Sequence, residues 1–145
     1  MKITLKTRVT GNYIEVMEKF DLDLFEALKP PLADMEIVEF TGSKKGDRVH
    51  IRFNAPIKAE WISLITEHGH DEHHAYFVDE GDVLPFPLKK WRHKHIVEKI
   101  SETESYIIDE MSFSGSNWLM DIFIYPGILI GFLPRKRIYK KYFSK

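Results

Sequence analysis

The stretch Ser116-Asn-Trp-Leu-Met-Asp-Ile-Phe-Ile-Tyr-Pro-Gly-Ile-Leu-Ile-Gly-Phe-Leu-Pro-Arg-Lys-Arg-Ile-Tyr-Lys-Lys-Tyr-Phe143 decides how the rest of the chain is arranged. From Trp118 to Leu133 it is apolar on every side except for Asp121, so no helical orientation gives it a solvent-facing stripe. Such a segment is expected to be surrounded by protein. Ile122 to Leu133 is shorter than the roughly 20 apolar residues of a membrane span, and it reads as a buried core helix. Pro126 would cost about 3 kcal/mol inside a straight helix. A kink is therefore expected at Pro126-Gly127, with the helix proper beginning there, and Pro134 raises the same problem a second time. Either break would allow half of the helix to swing as a lid.

What surrounds the helix must come from upstream. Lys2 to Val9 places Ile3, Leu5, Thr7 and Val9 on one face and Lys2, Thr4, Lys6 and Arg8 on the other, the period-two pattern of a half-buried strand. Gly11-Asn12 breaks it, and Tyr13, Val16, Met17 and Phe20 recur at helical spacing. Leu22 to Leu28 makes a second short helix, ended by Lys29-Pro30-Pro31. Strand patterns follow over 35–41, 48–54, 58–68, 72–79, 89–100 and 105–114, with a loop over 81–87. Short polar or glycine-containing breaks between these runs are hairpin chemistry, so consecutive strands are expected to be antiparallel. The fold class is α+β: a curved antiparallel sheet of about seven strands around a kinked C-terminal helix, with two short helices between strands one and two.

Composition sets the other bounds. A chain of 145 residues is the size of one domain, here 1–145. Its formal net charge of −1 gives no global attraction to nucleic acid. Without cysteine it has no disulfide, thiolate nucleophile or cysteine zinc site. The alternating N-terminus is unlike a secretory signal, and a cytoplasmic location is expected. Neither a phosphate-binding glycine loop nor a Gly-x-Ser-x-Gly or His-Glu-x-x-His motif is present.

Along the chain stand Leu28-Lys29-Pro30-Pro31, Ile65-Thr66, Phe77-Val78-Asp79-Glu80-Gly81 and Trp91-Arg92-His93-Lys94-His95, then Asp109 with Phe113 and a late basic residue, Arg135 or Arg137. Together these motifs resemble a bacterial branch of the START and birch-pollen-allergen (SRPBCC) superfamily, described as ligand-binding or polyketide cyclase-like. The sequence departs from the branch where Asp82-Val83-Leu84-Pro85 follows Gly81, where Phe113 replaces a tyrosine, and where Gly115 to Tyr125 is more apolar. The resemblance implies a helix-grip fold with a hydrophobic cavity between sheet and final helix. The implied partner is a lipid-like, aromatic or polyketide-like small molecule, with no cofactor.

Strand alternation puts Trp91, His93, His95 and Val97 on one face, expected to look inward. If the following hairpin closes with Ser101 against Glu104, Glu110 stands opposite His95 and Ser112 opposite His93; a slip by one residue brings Met111 and Phe113 to that face instead. Candidate ligand contacts are therefore Trp91, His93, His95, Trp61, Phe77, Asp109, Met111, Phe113, Trp118 and Phe123. His93 and His95 are also the candidate acid/base pair of a cyclase- or dehydratase-like enzyme, the alternative to a binding protein without catalysis. His68, His70 and His73 form a second cluster whose spacing matches no standard zinc motif, so no metal is expected. The basic run Arg135 to Lys145 reads as a solvated helix end, with peripheral contact to anionic membrane as the alternative role. Oligomeric state is not legible.

Overall fold

The computed structural model describes residues 1–144. Strict alternation over Lys2–Thr10 forms strand β1, in which Ile3, Leu5, Thr7 and Val9 are buried and their neighbours exposed. Two short helices follow, α1 (Tyr13–Glu18) and α2 (Leu22–Ala27). Asn12 and Asp21 cap them by accepting hydrogen bonds from the Ile14 and Leu24 amides. Strands β2 (Asp34–Phe40), β3 (Arg48–Ala55), β4 (Ala59–His70), β5 (His74–Val83), β6 (Lys90–Lys99) and β7 (Glu104–Ser114) then run as a meander. All seven strands form one antiparallel sheet in the order β1-β7-β6-β5-β4-β3-β2.

Register shifts at Ile37/Glu39 in β2 and at Ile62/Ser63 and Ile65/Glu67 in β4 bend that half of the sheet, because a bulged strand coils more strongly than a regular one. The segment over Gly81–Val83, expected to be loop, instead extends β5, since Gly81 pairs with Ser63 and Val83 with Ile62. The β6–β7 register is slipped by one residue from the Ser101–Glu104 closure, so Met111 and Phe113 take the inward face, as in the second sequence reading, and Asp109 joins them. His95 stands opposite Asp109, His93 opposite Met111 and Trp91 opposite Phe113. At the tip, the amides of Ile100 and Ser101 both donate to the Glu104 carbonyl, which sets the offset.

The C-terminal segment forms α3 (Trp118–Phe132) and α4 (Pro134–Tyr142). α3 begins at Trp118, well before Pro126, because Asn117 caps it through the Met120 amide and Asp121 accepts from the Gly115 amide at 2.6 Å. Asp121, the only acid of the stretch, thus fastens the helix to the end of β7. Gly115 permits this approach: a Cβ there would lie 2.8 Å from Met120 and 2.9 Å from Ile124. Pro126 falls within α3 on an exposed turn, and the element boundary falls at Leu133, where Pro134 opens α4 without needing an amide hydrogen.

Two clusters make the core. Val9, Val16, Phe20, Leu24, Ile65, Phe77, Val97 and Tyr139 pack α1, α2 and α4 against the sheet. Ile3, Leu5, Trp91, Met111, Phe113 and Ile124 pack α3 over β1, β6 and β7. The molecule is a helix-grip fold, with one correction: the helix is gripped on one side only. Ile124 alone in α3 is fully buried, while Trp118, Leu119, Ile122, Phe123 and Ile130 face outward.

Candidate functional site

Because α3 covers one half of the curled sheet, a space remains between it and the half formed by β2, β3 and β4. This cavity has a volume of about 930 Å³. Its walls are Leu24, Leu28, Met35, Ile51, Phe53, Trp61, Ile65 and Phe77, with Ile128 and Phe132 of α3 opposite. Four exposed apolar residues stand at its rim: Leu32 after α2, Ile57 in the β3–β4 turn, Phe86 in the β5–β6 loop and Ile130 on α3.

Polar groups collect on the wall formed by β5 and β6. His95 Nε2 lies 2.7 Å from Asp79 Oδ2, and His93 Nε2 lies 2.8 Å from Asp109 Oδ1. A carboxylate only accepts, so both histidines carry their hydrogen on Nε2 and donate it. Trp91 Nε1 donates to Asp79 Oδ1 at 2.9 Å. The two imidazoles stack at 3.6 Å between centroids, and Phe77 stacks on His95 at 4.1 Å. The second nitrogen of each ring, Nδ1, sits 3.7 Å from the other aspartate. From α4, Arg135 turns inward over the Phe132 ring and reaches 4.0 Å from Asp109, and the Tyr139 hydroxyl lies 3.5 Å from the same oxygen.

Burial and pairing fix the charges. Burial by itself would raise the Asp109 pKa, but the His93 hydrogen bond and the neighbouring positive charges outweigh it and hold the carboxyl at about 2. Asp79 is lowered in the same way: burial is the largest single influence and would raise it, but the His95 and Trp91 hydrogen bonds and the neighbouring imidazoles together outweigh it. His95 is pushed down to about 4, chiefly by burial and then by His93, so its ring is neutral at pH 7. Burial first, and Asp109 second, raise the Tyr139 phenol, which stays protonated. A neutral His95 leaves Nδ1 as a bare acceptor, buried and without a hydrogen-bond partner among the described residues. Toward the cavity this wall presents the Asp79 carboxylate, the two imidazoles and the Arg135 guanidinium, with Asp109 behind them.

Of the residues singled out by sequence, Trp61, Phe77, Trp91, His93 and His95 line the cavity. Asp109, Met111 and Phe113 share the inward face of β7 but lie buried beneath the lining. Trp118 and Phe123 are corrected: at 71% and 70% exposure they stand on the outside of α3. They lie on the side of the helix that the one-sided grip leaves uncovered. His68, opposite Phe77, does not face His73; its Nδ1 accepts from the Lys45 amide, and His70 and His73 are exposed. The only trio of possible metal ligands among the described residues is Asp79, His93 and His95, with donor atoms within 4.8 Å of one another. A metal there would have to displace the 2.7 Å His95–Asp79 bond. Asp79 was missing from the sequence-derived site, although it stands two residues from Phe77 on the same strand and so on the same face. The rim residues gave a weaker signal, single apolar residues beside prolines in turns.

No protein-family model matches the chain, and no curated protein matches it. Solved structures do. Truncated norcoclaurine synthase from Thalictrum flavum aligns over 100% of this chain and 94% of its own at a TM-score of 0.69 and 14% identity. The same enzyme in complex with dopamine and hydroxybenzaldehyde aligns over 90% and 80% at 0.64 and 13%. The Zhui aromatase/cyclase from a Streptomyces species aligns over 81% and 69% at 0.60 and 13%. These likenesses establish the fold, a helix-grip.

Proposed function

We propose that the chain, acting as one domain, binds a hydrophobic small molecule in the cavity between the sheet and α3, with a polar end of that molecule directed at Asp79, His93 and His95. The observation that carries this reading is the cavity itself: about 930 Å³ of mainly apolar space with Asp79, His93, His95 and Arg135 clustered in its lining. Small-molecule sites have this composition and size, roughly 300–1,000 Å³. The Asp79 carboxylate at the lining suits a ligand that brings a hydroxyl or amine donor, and an aromatic, lipid-like or polyketide-like body suits Trp61, Phe77 and Phe132. Norcoclaurine synthase and the aromatase/cyclase, which share the fold, are enzymes for small molecules, and this supports the class of ligand without naming it.

The test is direct. Native mass spectrometry of the purified protein, followed by solvent extraction, should release an apolar molecule in stoichiometric amount. A solvatochromic dye such as anilinonaphthalenesulfonate should bind, and Ile51→Trp with Ser63→Phe, which add bulk to the wall, should weaken it by roughly tenfold or more. Equal dye affinity in the bulky variant would sink the assignment.

A second reading follows from one specific feature, the neutral His95 oriented by Asp79 at 2.7 Å. An imidazole so held serves as a general base in cyclase- or dehydratase-like chemistry. Under it, His93→Gln with His95→Gln abolishes turnover of a responsive substrate but leaves dye binding in place. Unchanged turnover would remove this assignment.

A further inference from the structure

The outward side of α3 is the least expected surface of this molecule. Leu119, Ile122, Phe123, Ile130 and Leu133 are exposed at helical spacing, with Trp118 at the start of the row. Three and four residues apart, they form a single stripe along the helix. The stripe continues into α4, where Arg137, Lys140 and Lys141 stand four, seven and eight residues after Leu133 and are exposed. From Ile122 to the end of the chain there is no aspartate or glutamate. The result is one continuous face, apolar with a terminal tryptophan at one end and cationic at the other.

The rim of the cavity adjoins this face. Ile130 belongs to both, and around the rim Leu32, Ile57 and Phe86 project apolar side chains at 87%, 74% and 80% exposure, with Lys58 beside them. Four separate elements thus present apolar tips next to basic residues. Contiguous apolar exposure of this kind marks an interaction surface.

We propose that this face docks the protein on an anionic lipid bilayer. The apolar stripe and the rim enter the interfacial zone, Trp118 sits at the headgroup level, and Arg137, Lys140, Lys141 and Lys58 pair with lipid phosphates. Charge decides the occupant. A second copy of the chain would have to set these cations against an identical stripe that holds no acid, whichever way the two helices ran. An anionic bilayer supplies both a medium for the apolar row and counter-charges for the basic one. The helical run Trp118–Tyr142 is long and apolar enough to cross a membrane, yet it lies along the surface because its other side is committed to the sheet through Ile124, Ile128, Leu129 and Phe132. Docked this way, the mouth of the cavity opens toward the acyl chains. The docking surface itself does not depend on what the cavity holds.

Co-sedimentation of the full chain with vesicles of phosphatidylcholine, alone and mixed with phosphatidylglycerol, tests this. The mixed vesicles should be bound more tightly by about tenfold or more at low salt, the gap closing as salt is added. Trp118→Asp with Phe123→Asp should abolish binding to both, and Arg137→Glu with Lys140→Glu and Lys141→Glu should remove the preference for anionic lipid. All five side chains contact solvent, so the melting temperature and dye affinity should stay those of the parent, which separates a lost surface from a lost fold. Two results would overturn the proposal. One is no binding to either vesicle; the other is a dimer in light scattering that Trp118→Asp with Phe123→Asp dissociates, which would make the stripe a contact between copies.

Discussion

Asp109→Ala is expected to cost about 3–5 kcal/mol of folding stability, read from the urea midpoint at constant slope. The carboxylate is buried and anionic, and it accepts the His93 Nε2 hydrogen at 2.8 Å while lying within 4.0 Å of Arg135. Removing it leaves a buried imidazole donor and an inward guanidinium with no counter-charge, and uncompensated buried groups are what make such deletions severe. Asp109→Asn keeps an acceptor oxygen for His93 and should cost less, although it still deprives Arg135 of its partner. Tyr139→Phe should be milder again, because the 3.5 Å approach of its hydroxyl is a weak hydrogen bond. A loss below about 1 kcal/mol for Asp109→Ala would show that water enters the cluster and screens it.

Stability should also fall as the pH drops from 6.5 toward 4. Folding holds the His95 pKa near 4 against 6.5 for an unperturbed histidine, chiefly by burial. Between those values the unfolded chain binds the proton that the folded one refuses, so the slope of stability with pH is positive there, and the contribution is complete only above 6.5. The total is at most about 3 kcal/mol. Asp109 adds a further loss at lower pH, its share being present above 3.8 and disappearing as the pH falls toward about 2. His95→Gln carries no titrating ring and should flatten the first part of the curve while leaving the second. If the variant and parent curves stay parallel between pH 4 and 6.5, the acid sensitivity belongs to other groups.

The element order was legible in the sequence because each strand of this meander keeps one face wet. Lys2–Thr10 and Lys90–Lys99 alternate so cleanly that the inward Trp91, His93 and His95 could be named from period alone. Register was not legible. One residue at the tip between Ser101 and Glu104 decides whether Asp109 or Glu110 faces His95, and both are acids that local chemistry accepts. Burial of α3 was misjudged for a different reason. Hydropathy reports what a segment would prefer, and it cannot tell whether the preference is met by the same chain or by a partner, so Trp118 and Phe123 read as core. Arg135 and Arg137 look equivalent in the sequence, but two residues apart on a helix they point in different directions. One joined the buried cluster and the other the surface.

The pairing of β1 with β7 has a consequence for how the protein is made. Lys2 lies opposite Ser112 and Thr10 opposite Glu104, so β1, once synthesised, has no sheet neighbour until β7 follows it. The intervening hairpins can form as they emerge, but the closing seam joins strands far apart in the sequence, the kind of contact that slows folding. Until it forms, both the amide row of β1 and its apolar face stay open, the condition in which nascent chains aggregate or recruit a chaperone.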